Sequence, residues 1–158
     1  VSGAVAGLVG SVKAAAVAPT NLVLNGSATT TSTTNYILGS RSTSAFRTTP
    51  ASWLAAFDGG SELYVVEYYA TSVLTVGSRY SVSIWAKNNA VLQDVVLQVY
   101  FGSNLLSLTQ TPTTSAWVNY KIENALCSGN GNLDIFVYAT DSNFYVDDIT
   151  CVAGPTAL

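Results

Sequence analysis

Histidine and methionine are absent from this chain of 158 residues, and only 9% of its positions are Asp, Glu, Lys or Arg. Globular chains ordinarily carry about 25% charged residues. Without histidine there is no Ser-His-Asp triad and no ordinary zinc centre. The basic residues are few and scattered: Lys13, Arg41, Arg47, Arg79, Lys87 and Lys121. With a net charge of −3, the chain lacks the basic stripe that nucleic acid would require. No run is fit to span a bilayer, because the apolar stretch 1–18 is interrupted by Gly, Ser and Lys13. No Gly-rich phosphate loop stands at a strand–helix junction. So little charged surface suits a chain that is covered by partners or sugars, or that works outside a cell.

What is present is apolar and β-forming. Apolar residues make up 49% of the chain, and aromatic and β-branched types are plentiful enough to exclude disorder. The organising stretch is 79–87, Arg-Tyr-Ser-Val-Ser-Ile-Trp-Ala-Lys. Tyr80, Val82, Ile84 and Ala86 alternate with Ser81, Ser83, Trp85 and Lys87, the period of two that a half-buried strand shows. Residues 63–69, 91–101, 117–122, 133–139 and 144–151 read as further strands, and 106–109 as a short one. Short strands are also expected at 21–26, 36–38 and 45–48. No helix is expected after Pro19. Strands separated by turns at roughly 8–12 residues predict an antiparallel sandwich. The expected architecture is all-β: a two-sheet antiparallel jelly roll over 20–153, an apolar N-terminal arm over 1–19 and a C-terminal tail over 154–158.

The arm is the odd feature. Its apolar residues Val5, Leu8, Val9, Val12 and Val17 suit docking into a neighbouring subunit, as an added strand does; the alternative folds it back on its own domain. Ala16-Val17-Ala18 before Pro19 also resembles a signal cleavage site, and a chain without an initiator Met reads as processed or a fragment. Cys127 and Cys151 flank the last strands and are expected to form a disulfide bond, with two buried thiols the alternative. Asn25-Gly26-Ser27 is a glycosylation sequon, followed by a Thr-rich tract that suits O-linked sugars.

The outward faces of the strands carry the candidate chemistry. Trp85, Tyr100, Phe136 and Tyr138 stand beside Gln98, Asp94, Asp134 and Lys87. Aromatic planes with a few placed polar groups are what sugars require, so Trp85, Tyr100, Gln98 and Tyr138 are the candidate glycan-binding residues. A glycosidase would need two carboxylates across a cleft. Only Glu62, Glu67 and Asp94 come into consideration, and surface solubility explains them better.

Four pieces in order resemble the carbohydrate-binding modules of families 4 and 9. They are 21–27 (Asn-Leu-Val-Leu-Asn-Gly-Ser), 77–87 (Gly-Ser-Arg-Tyr-Ser-Val-Ser-Ile-Trp-Ala-Lys), 115–121 (Ser-Ala-Trp-Val-Asn-Tyr-Lys) and 144–149 (Phe-Tyr-Val-Asp-Asp-Ile). The resemblance implies a jelly roll with a glycan-binding concave sheet, and often a structural calcium, for which Asp147 and Asp148 match the closing acidic pair. It departs at Ala28-Thr29, where that family has Phe-Glu, so an apolar plug and an acidic calcium ligand are missing.

Two functions follow. The leading expectation is a non-catalytic structural subunit of an extracellular or cell-surface assembly, a filament or virion appendage, forming a homo-oligomer or polymer through its arm. The alternative is a carbohydrate-binding module of a secreted protein, holding glycan on its concave sheet.

Overall fold

The computed structural model describes residues 18–29, 34–48 and 50–154. The arm residues Val5, Leu8, Val9, Val12 and Val17 lie outside that range, as do residues 30–33 of the Thr-rich tract and 155–158 of the C-terminal tail.

Among the described residues every element is a strand. The strands are β1 (Tyr36–Leu38), β2 (Ser40–Ser42), β3 (Ser52–Leu54), β4 (Ala56–Asp58), β5 (Leu63–Ala70), β6 (Arg79–Asn88), β7 (Val95–Phe101), β8 (Asn104–Gln110), β9 (Val118–Leu126), β10 (Leu133–Ala139) and β11 (Phe144–Ala153). They form two antiparallel sheets in a jelly-roll sandwich. Sheet A runs β1-β5-β10-β7-β8, with β4 also pairing β5; sheet B runs β2-β3-β11-β6-β9.

Alternation decides which side chains meet between the sheets. On sheet A these are Val66, Tyr68 and Ala70 of β5, Leu133, Ile135 and Val137 of β10, and Leu97, Val99 and Phe101 of β7. On sheet B they include Val82, Ile84 and Ala86 of β6, Tyr120 of β9, and Val146 and Ile149 of β11. Central position in sheet B buries even the small outward residues of β6. Ser81 donates through its hydroxyl to the Gly154 carbonyl (2.9 Å) and accepts from the Asn124 amide (2.9 Å), so its burial leaves no polar group unpaired.

Two short strands expected from the sequence are absent. Residues 21–26 form turns, because side chains supply the backbone's partners there. Asn21 Oδ1 accepts from the amides of Val23 (3.1 Å) and Cys151 (2.9 Å), and Asn25 adopts a left-handed φ of 54°. Residues 45–48 form a loop whose amides at Arg47 and Thr48 bond the Asp147 carboxylate instead of a strand.

The expected disulfide is likewise not formed: Cys127 and Cys151 are separate buried thiols. Cys127 directs its Sγ–H at the Asn130 carbonyl (3.2 Å), and burial, with Cys127 nearby, pushes the Cys151 thiol up to about 12. Both sulfurs serve as small core groups. Ala28, which stands where the resembled family has its apolar plug, is itself fully buried in the core.

Candidate functional site

The outward face of sheet A follows from register. Reading across β5, β10, β7 and β8, one row is Tyr69, Asp134, Tyr100 and Leu105. The next is Glu67, Phe136, Gln98 and Ser107, and the third is Val65, Tyr138, Val96 and Thr109. Because alternate residues share a face, the side chains of all three rows point away from the core. Tyr100, Gln98 and Tyr138, expected to bind sugar, therefore share one surface. Phe136 and Tyr138 lie with ring centroids 5.4 Å apart, and Tyr100 is exposed.

At one end of this face lies a cleft of about 300 Å³ lined by Tyr69, Tyr100, Gly102, Asn130, Asn132 and Asp134. The Asn132 amide donates to the Tyr69 hydroxyl (3.0 Å), fixing one wall. Asp134 Oδ1 is buried without a hydrogen-bond partner among the described residues. Burial, and then the neighbouring Glu67 charge, raise the Asp134 carboxyl to about 6. Burial, then Asp58, also raises Glu67. An unpartnered carboxylate oxygen beside tyrosines is left with unused capacity to accept a hydrogen bond. Tyr69, Glu67 and Asn132 were missing from the expected set; the alternation of β5 already put Glu67 and Tyr69 on one face, but only the β5–β10 register sets them beside Tyr100.

The raised Asp134 value has a sign that can be tested. The folded chain holds this proton more tightly than the unfolded chain, whose value is 3.8. The associated stability is present below pH 3.8 and is lost as pH rises through 6. Asp134→Asn is expected to raise the melting temperature at pH 7 and to leave it nearly unchanged at pH 3.5. Equal shifts at both pH values would contradict this origin of the raised value.

Trp85 is elsewhere. It projects from β6 in sheet B, on the opposite side of the sandwich from Tyr100, and the Arg47 guanidinium lies 3.9 Å from its ring centroid. It borders a second pocket, of about 340 Å³. The acids Glu62, Glu67 and Asp94 are not brought together either. Glu62 occupies the turn before β5 with φ 59°, Glu67 the middle of β5, and Asp94 the approach to β7, where it accepts from the Thr111 hydroxyl.

Asp147 and Asp148 do not fit a calcium ion. Asp147 is fully buried; its Oδ2 accepts from the amides of Arg47 (2.8 Å) and Thr48 (3.3 Å), and its Oδ1 from the Asp148 amide (2.8 Å). Asp148 Oδ1 accepts from the Ser27 hydroxyl (2.6 Å), and Oδ2 from Arg47 and Thr48. Burial raises Asp147 despite those amides. Burial also pushes Asp148 up, but the bonds from Ser27, Thr48 and Arg47 together hold it below its usual value. Calcium takes six to eight oxygens, whereas each oxygen here already faces a protein donor, one of them cationic. No cluster of three or more metal-ligating side chains occurs among the described residues. Nearby, the sequon residue Asn25 sits in the 21–26 turn, with its carbonyl accepting from Trp53 Nε1 (3.3 Å).

No protein-family model matches the chain, and neither does any curated protein. Solved structures do. The chain superposes on TmCBM61, a module solved with β-1,4-galactotriose, at TM-score 0.66 and 16% identity, over 85% of this chain and 99% of that one. On the CBM22-1 xylan-binding domain of Paenibacillus barcinonensis Xyn10C the TM-score is 0.69 at 14% identity, over 90% and 100%. The enzymatically active domain of bacteriophage CBA120 tailspike protein 4 matches at TM-score 0.63 and 13% identity, over 85% of this chain but 21% of that one. The fold is thus the jelly roll of carbohydrate-binding modules. These matches support that fold and do not single out families 4 and 9. Nothing in the fold or the comparisons supports a filament subunit or a homo-oligomer.

Proposed function

We propose that this chain is a non-catalytic carbohydrate-binding module, acting outside the cell or at its surface, that lays a glycan across the outward face of sheet A. One observation carries the reading: Gln98, Tyr100 and Tyr138, picked for sugar binding by residue type, share one face with Tyr69, Phe136 and an unpartnered Asp134 oxygen. Aromatic planes stack on the apolar C–H surfaces of sugars, while Gln98, Asp134 and Asn132 offer partners to hydroxyl groups. The face carries carboxylates and no basic residue, so sugars without acidic groups suit it. Modules of the same fold solved with galactotriose, or described as xylan-binding, support the class of ligand.

The test is titration calorimetry with β-1,4-galactan and xylan oligosaccharides. Binding of one of them is expected, weakened about tenfold or more by Tyr100→Ala, a change of about 1.4 kcal/mol. Failure of the unmodified chain to bind any sugar on a broad neutral glycan array would overturn the reading. So would equal binding by Tyr100→Ala and Gln98→Ala.

A further inference from the structure

The described basic residues are confined to one sheet. Each described basic residue belongs to sheet B or its connections: Arg41 to β2, Arg79 and Lys87 to β6, Lys121 to β9, and Arg47 to the loop between β2 and β3. The three outward rows of sheet A across β5, β10, β7 and β8 hold Glu67 and Asp134, with Asp58 of β4 in register with Leu63 beyond them, and no basic residue. The two faces therefore cannot favour the same ligand.

On sheet B, Arg47, Trp85, Asn119, Lys121, Asp148 and Thr150 line the pocket of about 340 Å³. Register builds it: β6 sets Trp85 opposite Asn119 and Ser83 opposite Lys121, and on its other side sets Ser83 opposite Thr150. Its volume suits one or two sugar rings. Arg47 is neutralised by its ion pair with Asp148. Lys121 makes no ion pair among the described residues and is exposed, which leaves one positive charge uncompensated at the rim. Thr150 Oγ1 is buried and lacks any partner among the described residues, an arrangement that costs free energy unless a ligand completes it. Asn119 is held by its amide bonds to Ser83 Oγ (2.9 Å) and the Ile84 carbonyl (3.2 Å). The floor is thus rigid and aromatic, with an unsatisfied hydroxyl and a net positive rim.

We infer that this pocket is a second binding site, on the sheet opposite the face proposed for neutral sugars, for a sugar carrying a carboxylate or sulfate group. Lys121 meets the acidic group, the Thr150 hydroxyl bonds a sugar oxygen or the acid, and Trp85 with its overlying Arg47 forms the floor against the ring. The site stands independently of sheet A, so one chain with both would bridge a neutral and an acidic glycan.

The experiment titrates the full chain with α-1,4-trigalacturonate and, separately, with a sulfated galactose trisaccharide, at low and at high salt. Binding of at least one is expected, and whichever binds identifies the anion. High salt should weaken it, since an exposed charge is screened. Lys121→Gln should lower affinity about twofold to fivefold, as an exposed charge pair allows. Thr150→Val should weaken binding without lowering the melting temperature, because it removes a hydroxyl that has no partner. Tyr100→Ala should leave this binding unchanged. Binding of neither probe would overturn the inference, as would binding indifferent to both Lys121→Gln and Thr150→Val. Loss of acidic-sugar binding on Tyr100→Ala would assign that ligand to sheet A instead.

Discussion

Truncating Trp53 to alanine is expected to lower stability by about 3–5 kcal/mol, the range for a fully buried aromatic residue cut to alanine. Trp53 is completely inaccessible to solvent. It belongs to β3 in sheet B, yet it stacks on Tyr36 of β1 in sheet A at 3.8 Å between centroids. Tyr36 in turn meets Tyr68 of β5 edge to face at 5.2 Å. The cluster also fastens the 21–26 turn. The Asn25 carbonyl accepts from Trp53 Nε1 and from the Tyr36 hydroxyl (3.4 Å), and the Tyr68 hydroxyl accepts from the Leu24 amide (3.2 Å). Truncation therefore opens a large cavity, breaks the stack between the sheets and removes one donor from a half-buried turn. Total stability for a domain is about 5–15 kcal/mol, so the variant should be close to unfolding at body temperature. Trp53→Phe keeps most of the packing and should cost only about 1–2 kcal/mol. Urea denaturation checks both, read as a fall in the midpoint at unchanged slope. A cost below about 1 kcal/mol for Trp53→Ala would mean that the cluster does not hold the sheets together.

The long strands were legible in the sequence because each alternates over enough residues to declare both its faces. β10 spans Leu133–Ala139 as read, and β6 extends the expected stretch by one residue, to Asn88. The expected 91–101 strand shortens to Val95–Phe101, because Gln93 turns aside to bond the loop at 141–142. The short early elements were harder. In 21–26 and 45–48 the partners of the backbone are side chains from distant positions, Tyr68 and Asp147 among them. No local pattern announces such a partner. The same limit applied to the site. Periodicity told which residues of β7 and β10 face outward, and that was enough to select Gln98, Tyr100 and Tyr138. It could not tell that β6 and β7, adjacent in sequence, lie in different sheets. Trp85 and Tyr100 share aromatic character and an outward position, and only topology separates them. The Asp147-Asp148 pair was matched to a metal motif by sequence alone, since the guanidinium of Arg47, which supplies the positive charge there, lies some hundred residues away in the chain.

Gly102→Ala is expected to lower stability by about 3 kcal/mol and to disable the cleft on sheet A together. Gly102 opens the tight turn between β7 and β8, with φ +67°, a conformation that costs a side-chain-bearing residue about 1–2 kcal/mol. Sterics add to this. A Cβ at this position would lie 2.0 Å from the Ser128 carbonyl oxygen and 2.2 Å from that of Asn130. Both are backbone atoms, so no side-chain rotation relieves the clash. The loop at 128–132 is stitched to this turn: the Gly102 amide donates to the Asn132 carbonyl (2.8 Å), and the Ser103 amide to that of Ser128 (2.7 Å). Pushing the loop away displaces Asn130 and Asn132, which line the cleft with Tyr69, Tyr100 and Asp134. Gly77→Ala separates the two effects. Gly77 also has a positive φ, +85°, but nothing lies within 4 Å of its added Cβ, so it should show the conformational cost alone, about 1 kcal/mol, with glycan binding intact. If the two alanine variants unfold at the same urea concentration, the close approach of the β7–β8 turn to the 128–132 loop is not what shapes this end of the sandwich. If Gly102→Ala unfolds earlier but binds neutral sugar unchanged, the glycan contacts lie further along the face, toward Phe136 and Tyr138.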